Sequence, residues 1–108
     1  MRNLFALILF VSLLFGCNKP PKACIEIDQP TASVGTTVTF TSCSKKALSF
    51  EWFMSGPAGA PENTKGWSDE VITNVFTVPG TYTVTLTAYK KFSFLGESAT
   101  AEATLTIQ

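Results

Sequence analysis

Apolar and polar residues alternate with a period of two along most of the chain after residue 22, which is the pattern of half-buried β-strands. In the clearest run, residues 81–88, threonines occupy one face and apolar groups occupy the other. Further alternating runs lie at residues 23–28, 37–41, 50–54, 71–77 and 99–107. No sustained helical period follows residue 17. Short strands separated by turn residues therefore predict an all-β protein, and their spacing favours a two-sheet antiparallel sandwich over a barrel.

The N-terminus has a different pattern, that of an export signal. Arg2 supplies one positive charge, and the twelve residues Leu4–Phe15 that follow are apolar except for Ser12. A twelve-residue helix spans about 18 Å, less than the ~30 Å hydrocarbon core of a bilayer. The segment is therefore interpreted as the apolar region of a secretory signal and not as a membrane span.

The end of this segment, Leu13-Leu14-Phe15-Gly16-Cys17, resembles a bacterial lipobox and departs from it only in the bulky Phe15. The resemblance implies cleavage before Cys17, a lipid on its sulfur and an acylated amine. Each buried CH₂ of an acyl chain contributes about 0.8 kcal/mol, so several chains on one residue make a stable anchor. The alternative is an ordinary signal peptide with a structural Cys17.

These observations predict three segments. Residues 1–16 are a lipoprotein signal peptide, residues 17–23 a short polar tether bound to the membrane through lipid, and residues 24–108 a single β-sandwich domain. The expected location is the cell envelope, on the outer membrane. The residues after Cys17 carry neither an aspartate retention signal nor an acidic export run, so the periplasmic and surface sides both stay open.

Charge and composition exclude several functions. The chain without residues 1–16 carries seven lysines and eight acidic residues, a net charge of −1, which argues against a nucleic-acid partner. It contains no histidine, so Ser-His and Cys-His nucleophiles and histidine metal sites are absent. Asp69 and Glu70 are adjacent, and neighbours on an extended chain point apart. We expect no catalytic residues, no cofactor and no metal, with calcium at Asp28 or Asp69 as the alternative that oxygen ligands allow.

Three segments resemble the polycystic-kidney-disease (PKD) type of immunoglobulin-like domain. They are Val34-Gly35 leading into Val38-Thr39-Phe40, Ser49-Phe50-Glu51-Trp52-Phe53, and Val78-Pro79-Gly80-Thr81-Tyr82-Thr83-Val84-Thr85-Leu86. The resemblance covers residues 24–108 and implies an immunoglobulin-like sandwich. The chain departs from the family where Met54-Ser55-Gly56 replaces the common Gly-Asp-Gly turn, so any role of that aspartate is not carried over.

Four residues are expected to be structural. Trp52 is placed at the centre between the two sheets, where a large ring buries the most apolar area. Tyr82 follows the Pro79-Gly80 turn at the start of its strand, where such domains often return the hydroxyl to the backbone as a tyrosine corner.

Cys24 and Cys43 are an even pair in an oxidising compartment if Cys17 is lipidated. Both are out of phase with the apolar residues of their strands, and antiparallel pairing of the first two strands brings them together. A Cys24–Cys43 disulfide follows as a hypothesis. The competing interpretation, a redox-active pair, lacks the Cys-x-x-Cys spacing.

Large apolar residues also occur where the pattern requires loops, and the immunoglobulin-like topology places these loops at one end of the domain. That end is predicted to collect aromatic and aliphatic anchors with a basic rim, the chemistry of a binding surface. The residues are Trp67, Phe92, Phe94, Leu95, Lys45, Lys46, Lys90 and Lys91. The alternative is that Phe92 and Phe94 extend a strand and Trp67 packs beneath its own loop.

The six residues Asn18–Ala23 reach at most about 20 Å, so this end is expected to lie close to the membrane. The sequence thus predicts a membrane-anchored, non-catalytic module that binds an envelope protein, as an accessory subunit of a complex. Two alternatives stay open. One is a lipoprotein that binds polysaccharide through exposed aromatic rings, and the other is a domain that rests on the bilayer.

Overall fold

The structure, a computed structural model, describes residues 19–64 and 66–108. The predicted signal peptide and Cys17 lie outside the described residues. The strands are β1 (Ile25–Ile27), β2 (Thr31–Ala32), β3 (Thr37–Ser42), β4 (Ser49–Ser55), β5 (Val71–Val75), β6 (Gly80–Lys91) and β7 (Leu95–Ile107), and a 3₁₀ helix (Pro61–Thr64) lies between β4 and β5.

The strands form two sheets, which confirms the predicted all-β sandwich. One sheet has the order β1-β3-β5 and the other β2-β7-β6-β4. Every pairing is antiparallel except that of β2 with β7, which is parallel. The two-residue β2 was not predicted, because a strand that short has no detectable alternation.

Alternation of the side chains explains the core. Along β6, Tyr82, Val84, Leu86 and Ala88 are fully buried, while the threonines between them face outward. The long strands β6 and β7 extend past the predicted runs, because the ladder continues to the pair Lys91–Leu95 after a bulge near Tyr89.

The centre of the sandwich is a chain of aromatic rings. Trp52 and Phe40 have ring centroids 6.3 Å apart, Phe40 and Phe76 also 6.3 Å, and Phe76 and Tyr82 4.7 Å. All four residues are fully buried. Because aromatic pairs in tilted and edge-to-face geometry add to the free energy of apolar burial, this chain is the main apolar contact between the sheets.

Tyr82 forms a tyrosine corner. Its hydroxyl donates to the backbone carbonyl of Val78 over 2.6 Å. The ring needs a close backbone approach, since a Cβ on Gly56 would overlap it. Gly80 begins β6 with φ of +146°, and a Cβ there would overlap Pro57. Both glycines are therefore required by the packing around Tyr82.

A buried carboxylate stabilises the same region, and the sequence pattern did not identify it. Glu62, in the 3₁₀ helix, is 2% exposed. Its Oε1 accepts hydrogen bonds from the backbone N–H of Thr77 (2.9 Å) and from the Thr77 hydroxyl (2.8 Å). The helix is thereby joined to the turn between β5 and β6.

The segment Trp67–Asp69 covers the middle of the free edge of β4. The backbone N–H of Trp52 donates to the carbonyl of Trp67 over 2.9 Å, and the Trp52 ring Nε1 donates to the carbonyl of Asp69 over 2.7 Å. Trp67 is half-buried and packs against the core. These bonds place Trp67 opposite the middle of β4 and not with the hairpin residues at the end of the sandwich, which agrees with the alternative that Trp67 packs beneath its own loop.

Replacing Tyr82 with Phe should destabilise the fold by about 1–3 kcal/mol, since the Val78 carbonyl loses its donor in a part-buried site. Urea unfolding near neutral pH measures this difference. Burial, and secondarily the nearby Glu62 carboxylate, raise the pKa of Tyr82 above its ordinary value of 10.0.

The raised pKa of Tyr82 predicts how the stability of the fold depends on pH. A phenol with a raised folded-state pKa contributes full stability below its unfolded value and loses it as pH rises through the folded value. The wild-type chain should therefore lose stability more steeply above pH 10 than Tyr82→Phe, with Tyr89 present in both chains. Parallel curves would contradict the proposed environment of this hydroxyl.

Candidate binding surface

One end of the sandwich gathers the N-terminal segment, the β3–β4 loop and the β6–β7 hairpin. Ile25 pairs with Ser42, so the start of β1 lies beside the end of β3. Ser49 pairs with Tyr89, so the start of β4 lies beside the end of β6. We call residues 19–24, 43–48 and 90–97 together the basic end.

The basic end carries six lysines, Lys19, Lys22, Lys45, Lys46, Lys90 and Lys91. Four of them line one open cleft of about 400 Å³ together with Pro20 and Pro21. The N–H of Lys22 donates to the carbonyl of Lys45 (3.0 Å), and the N–H of Lys45 donates back (2.9 Å). Within residues 19–64 and 66–108, none of the six forms an ion pair. Their positive charge is therefore available to an anionic partner.

Large apolar side chains project from the turn of the β6–β7 hairpin. The exposed fractions are 68% for Phe92, 43% for Phe94 and 60% for Leu95. Leu48, in the β3–β4 loop at the same end, is 53% exposed and was not identified from the sequence. A single apolar residue in a short loop gives no periodic signal, so only the structure assigns it to this surface.

Ser49 fixes the conformation of the hairpin turn, and it too was missed. Its hydroxyl donates to the carbonyl of Lys91 (2.6 Å) and accepts from the N–H of Phe94 (3.1 Å). Ser93 and Phe94 have φ of 60° and 59°, a left-handed conformation that bulky residues rarely adopt. The Ser49 bonds therefore hold the turn in a conformation that the two residues would not otherwise favour.

Tyr89 supports the same turn through its ring. The ring centroids of Tyr89 and Phe94 are 5.5 Å apart in edge-to-face geometry. The Tyr89 hydroxyl donates to Glu51 Oε1 over 3.4 Å. Burial, and secondarily the Glu51 carboxylate, raise the pKa of Tyr89, so the phenol is uncharged at neutral pH. Phe94 is thus packed on one side and open on the other.

Cys24 and Cys43 form the predicted disulfide. The N–H of Cys43 also donates to the carbonyl of Cys24 over 3.0 Å. Both residues are half-buried. The hydroxyl of the neighbouring Ser44 accepts a hydrogen bond from the N–H of Cys24 over 3.1 Å. The disulfide joins the start of β1 to β3, the central strand of its sheet.

The remaining candidates lie elsewhere or have structural roles. Pro79 precedes β6 and Gly80 is its first residue, at the opposite end of the sandwich from the lysines. Asp28 Oδ1 accepts from the N–H of Thr39 over 2.8 Å, which is a contact within the fold. Among the described residues, no three potential metal ligands come together. No helix in the described part of the chain is long and apolar enough to cross a membrane.

Comparison with known families gives one match. The family model of the PKD domain matches residues 25–106, which includes every strand of both sheets except the last residue of β7. No curated protein sequence matches the chain.

Replacing both Cys24 and Cys43 with Ser should lower the free energy of unfolding by about 3 kcal/mol, the chain-entropy value for a loop of this length. Urea unfolding with and without reductant tests it, because reduction should bring the wild-type chain down to the variant. Two free thiols at these positions in the mass of the unreduced protein would contradict the pairing.

Proposed function

The chain belongs to the PKD domain family, and from this premise we propose that it is a membrane-anchored, non-catalytic module of the cell envelope whose basic end binds a protein partner. Immunoglobulin-like modules of this family often serve in protein or carbohydrate interaction. The observation that carries the proposal is the hairpin turn, where Phe92, Phe94 and Leu95 are exposed on a backbone held by Ser49.

The chemistry of the turn suits a protein interface. Aromatic and aliphatic anchors at the centre of a patch, with charged residues at its rim, are typical of surfaces that bind proteins. Because Ser49 and Tyr89 already hold the turn, little conformational entropy is lost on binding. Lys90 and Lys91 flank the anchors and would select a partner with acidic groups around an apolar recess.

The proposed anchor, lipid on Cys17, restricts where the partner lies. The tether enters the domain at the basic end, and the hydrogen bonds between Lys22 and Lys45 attach its last residues to the β3–β4 loop. The five residues 17–21 that precede Lys22 reach less than about 20 Å. A partner of this surface would therefore be a membrane protein or lie close to the membrane, and outer-membrane attachment is part of the proposal.

The six lysines of the basic end, which form no ion pair within the part of the chain that the structure describes, favour a second candidate, direct contact of the basic end with an anionic bilayer. A lysine near an anionic membrane surface contributes about 1 kcal/mol, and exposed phenylalanines insert readily at the headgroup level. The polysaccharide alternative has less support, because the half-buried Trp67 does not offer a free ring.

A photocrosslinker tests the protein partner. We expect p-benzoylphenylalanine in place of Phe92 to form one predominant protein adduct in intact cells, because the side chain is 68% exposed on a fixed turn. The matched control is the same replacement at Phe53, which is 51% exposed on the outer face of β4. The adduct should be absent there.

Substitutions at Phe92 and Phe94, with Phe53 as the control, provide a second test. Phe92→Ser with Phe94→Ser should abolish co-purification of the crosslinked protein with little change in urea unfolding, and Phe53→Ser should leave it intact. Equal adducts from positions 92 and 53, or co-purification unaffected by the double variant, would sink the proposal.

Vesicle binding by a Cys17→Ser chain tests the bilayer candidate. Vesicles of phosphatidylglycerol and phosphatidylcholine should bind the chain at low salt, and phosphatidylcholine alone should not. Lys45→Gln with Lys46→Gln should weaken binding by about 2 kcal/mol, or roughly 30-fold. Binding that is indifferent to salt and to both substitutions would exclude an electrostatic contact.

A further inference from the structure

The outer strands of the two sheets are β1, β5, β2 and β4, and β7 also has an open edge beyond Thr106 and Ile107, where β2 pairs with it. The open part of β7 carries the exposed charges of Glu97 and Glu102, and three of the four outer strands are protected too. β1 has three residues with the charged Glu26 at its centre, and β2 has only two residues. The edge of β4 is covered by the segment around Trp67. Short length, charge and a covering segment are the ordinary ways in which proteins block edge-to-edge pairing.

The edge of β5 lacks all three protections. The strand has five residues, Val71-Ile72-Thr73-Asn74-Val75, with neither charge nor proline. Its pairing with β3 continues past the strand, since the backbone N–H of Ser42 donates to the Glu70 carbonyl over 2.8 Å. The Glu70 carbonyl therefore points to β3, and the direction of the backbone groups alternates from residue to residue along an antiparallel strand. It follows that the N–H and C=O groups of Val71, Thr73 and Val75 point to the free edge. Within the described residues, these groups have no backbone partner.

The side chains of the same three residues lie on the solvent-facing side of the sheet. Thr73 is exposed, and Val71 and Val75 are 52% and 44% exposed. Read in either direction, the outward residues have the order valine, threonine, valine. An edge with that symmetry is complementary to itself, because antiparallel pairing centred on Thr73 places each Val71 opposite a Val75.

We propose that β5 is a docking edge for a second copy of this chain. The two β5 strands pair antiparallel about a two-fold axis at Thr73 and form one continuous six-stranded sheet. The pairs Val71–Val75, Thr73–Thr73 and Val75–Val71 each exchange two backbone hydrogen bonds. Glu70 of one copy then lies opposite Phe76 of the other, so no like charges meet across the pairing.

The size of the interface sets its strength. A five-residue edge buries less than the ~1,200 Å² at which stable interfaces begin, so the dimer is weak and concentration-dependent. Confinement of the chains to a membrane, as the proposed anchor implies, would raise their local concentration. The two-fold axis reverses the strand direction, so the two basic ends point apart, and two copies in one membrane would lie along its surface.

Cysteine crosslinking tests both the contact and its register. Hydrogen-bonded antiparallel partners have Cα atoms about 5.5 Å apart, within the range that a disulfide spans. Thr73→Cys should therefore form a covalent dimer under mild oxidation. Val71→Cys alone should not form one, because the residues at position 71 of the two chains are offset by four residues, about 14 Å along the strands. A mixture of Val71→Cys and Val75→Cys should form the crosslinked dimer.

The controls are the chain with no added cysteine and Thr104→Cys, at an exposed threonine of the other sheet. Sedimentation of concentrated protein is an independent test. The mass of the sedimenting wild-type species should approach twice that of the Thr73→Lys variant. The proposal is overturned if Thr73→Cys crosslinks no more than Thr104→Cys, or if Val71→Cys alone dimerises as well as Thr73→Cys. Transfer of the Thr73→Cys crosslink to a different protein would overturn it as well.

Discussion

The packing and hydrogen bonding of Trp52 are the interaction on which the rest of the structure depends. Its ring is fully buried and contacts Phe40, which links the two sheets. Its ring N–H and backbone N–H hold the segment Trp67–Asp69 over the edge of β4. Loss of such a ring costs about 3–5 kcal/mol, comparable to the whole stability of a small domain. One residue therefore fixes the core and closes one side of the sandwich.

The basic end shows how a rigid sandwich can present exposed apolar groups. The disulfide and the Lys22–Lys45 hydrogen bonds hold the N-terminal segment, and the Ser49 hydroxyl holds the hairpin turn. Each of these bonds lies at the end of a strand that continues into the core. Exposure of Phe92 and Leu95 is thus compatible with stability, because the backbone beneath them does not depend on their burial. That independence is what a binding surface requires.

The edge strands follow a related logic. Where an edge strand is short, charged or covered, a strand of another chain cannot readily pair with it. Among the described strands, β5 has an edge that is neither short, nor charged, nor covered. Its position at the side of the sandwich separates it from the basic end, so a partner at one surface leaves the other free.

The sequence by itself determined strand β1 and the strands β3 to β7, the two-sheet class and the Cys24–Cys43 pairing. Period-two alternation and the phase of a cysteine within it are local properties, readable from neighbouring residues. Only the tertiary structure decided that Trp67 packs against the core, that Glu62 is buried and that Ser49 holds the hairpin turn. These features depend on which distant backbone groups and side chains meet, and contacts of that kind leave no periodic trace in the sequence.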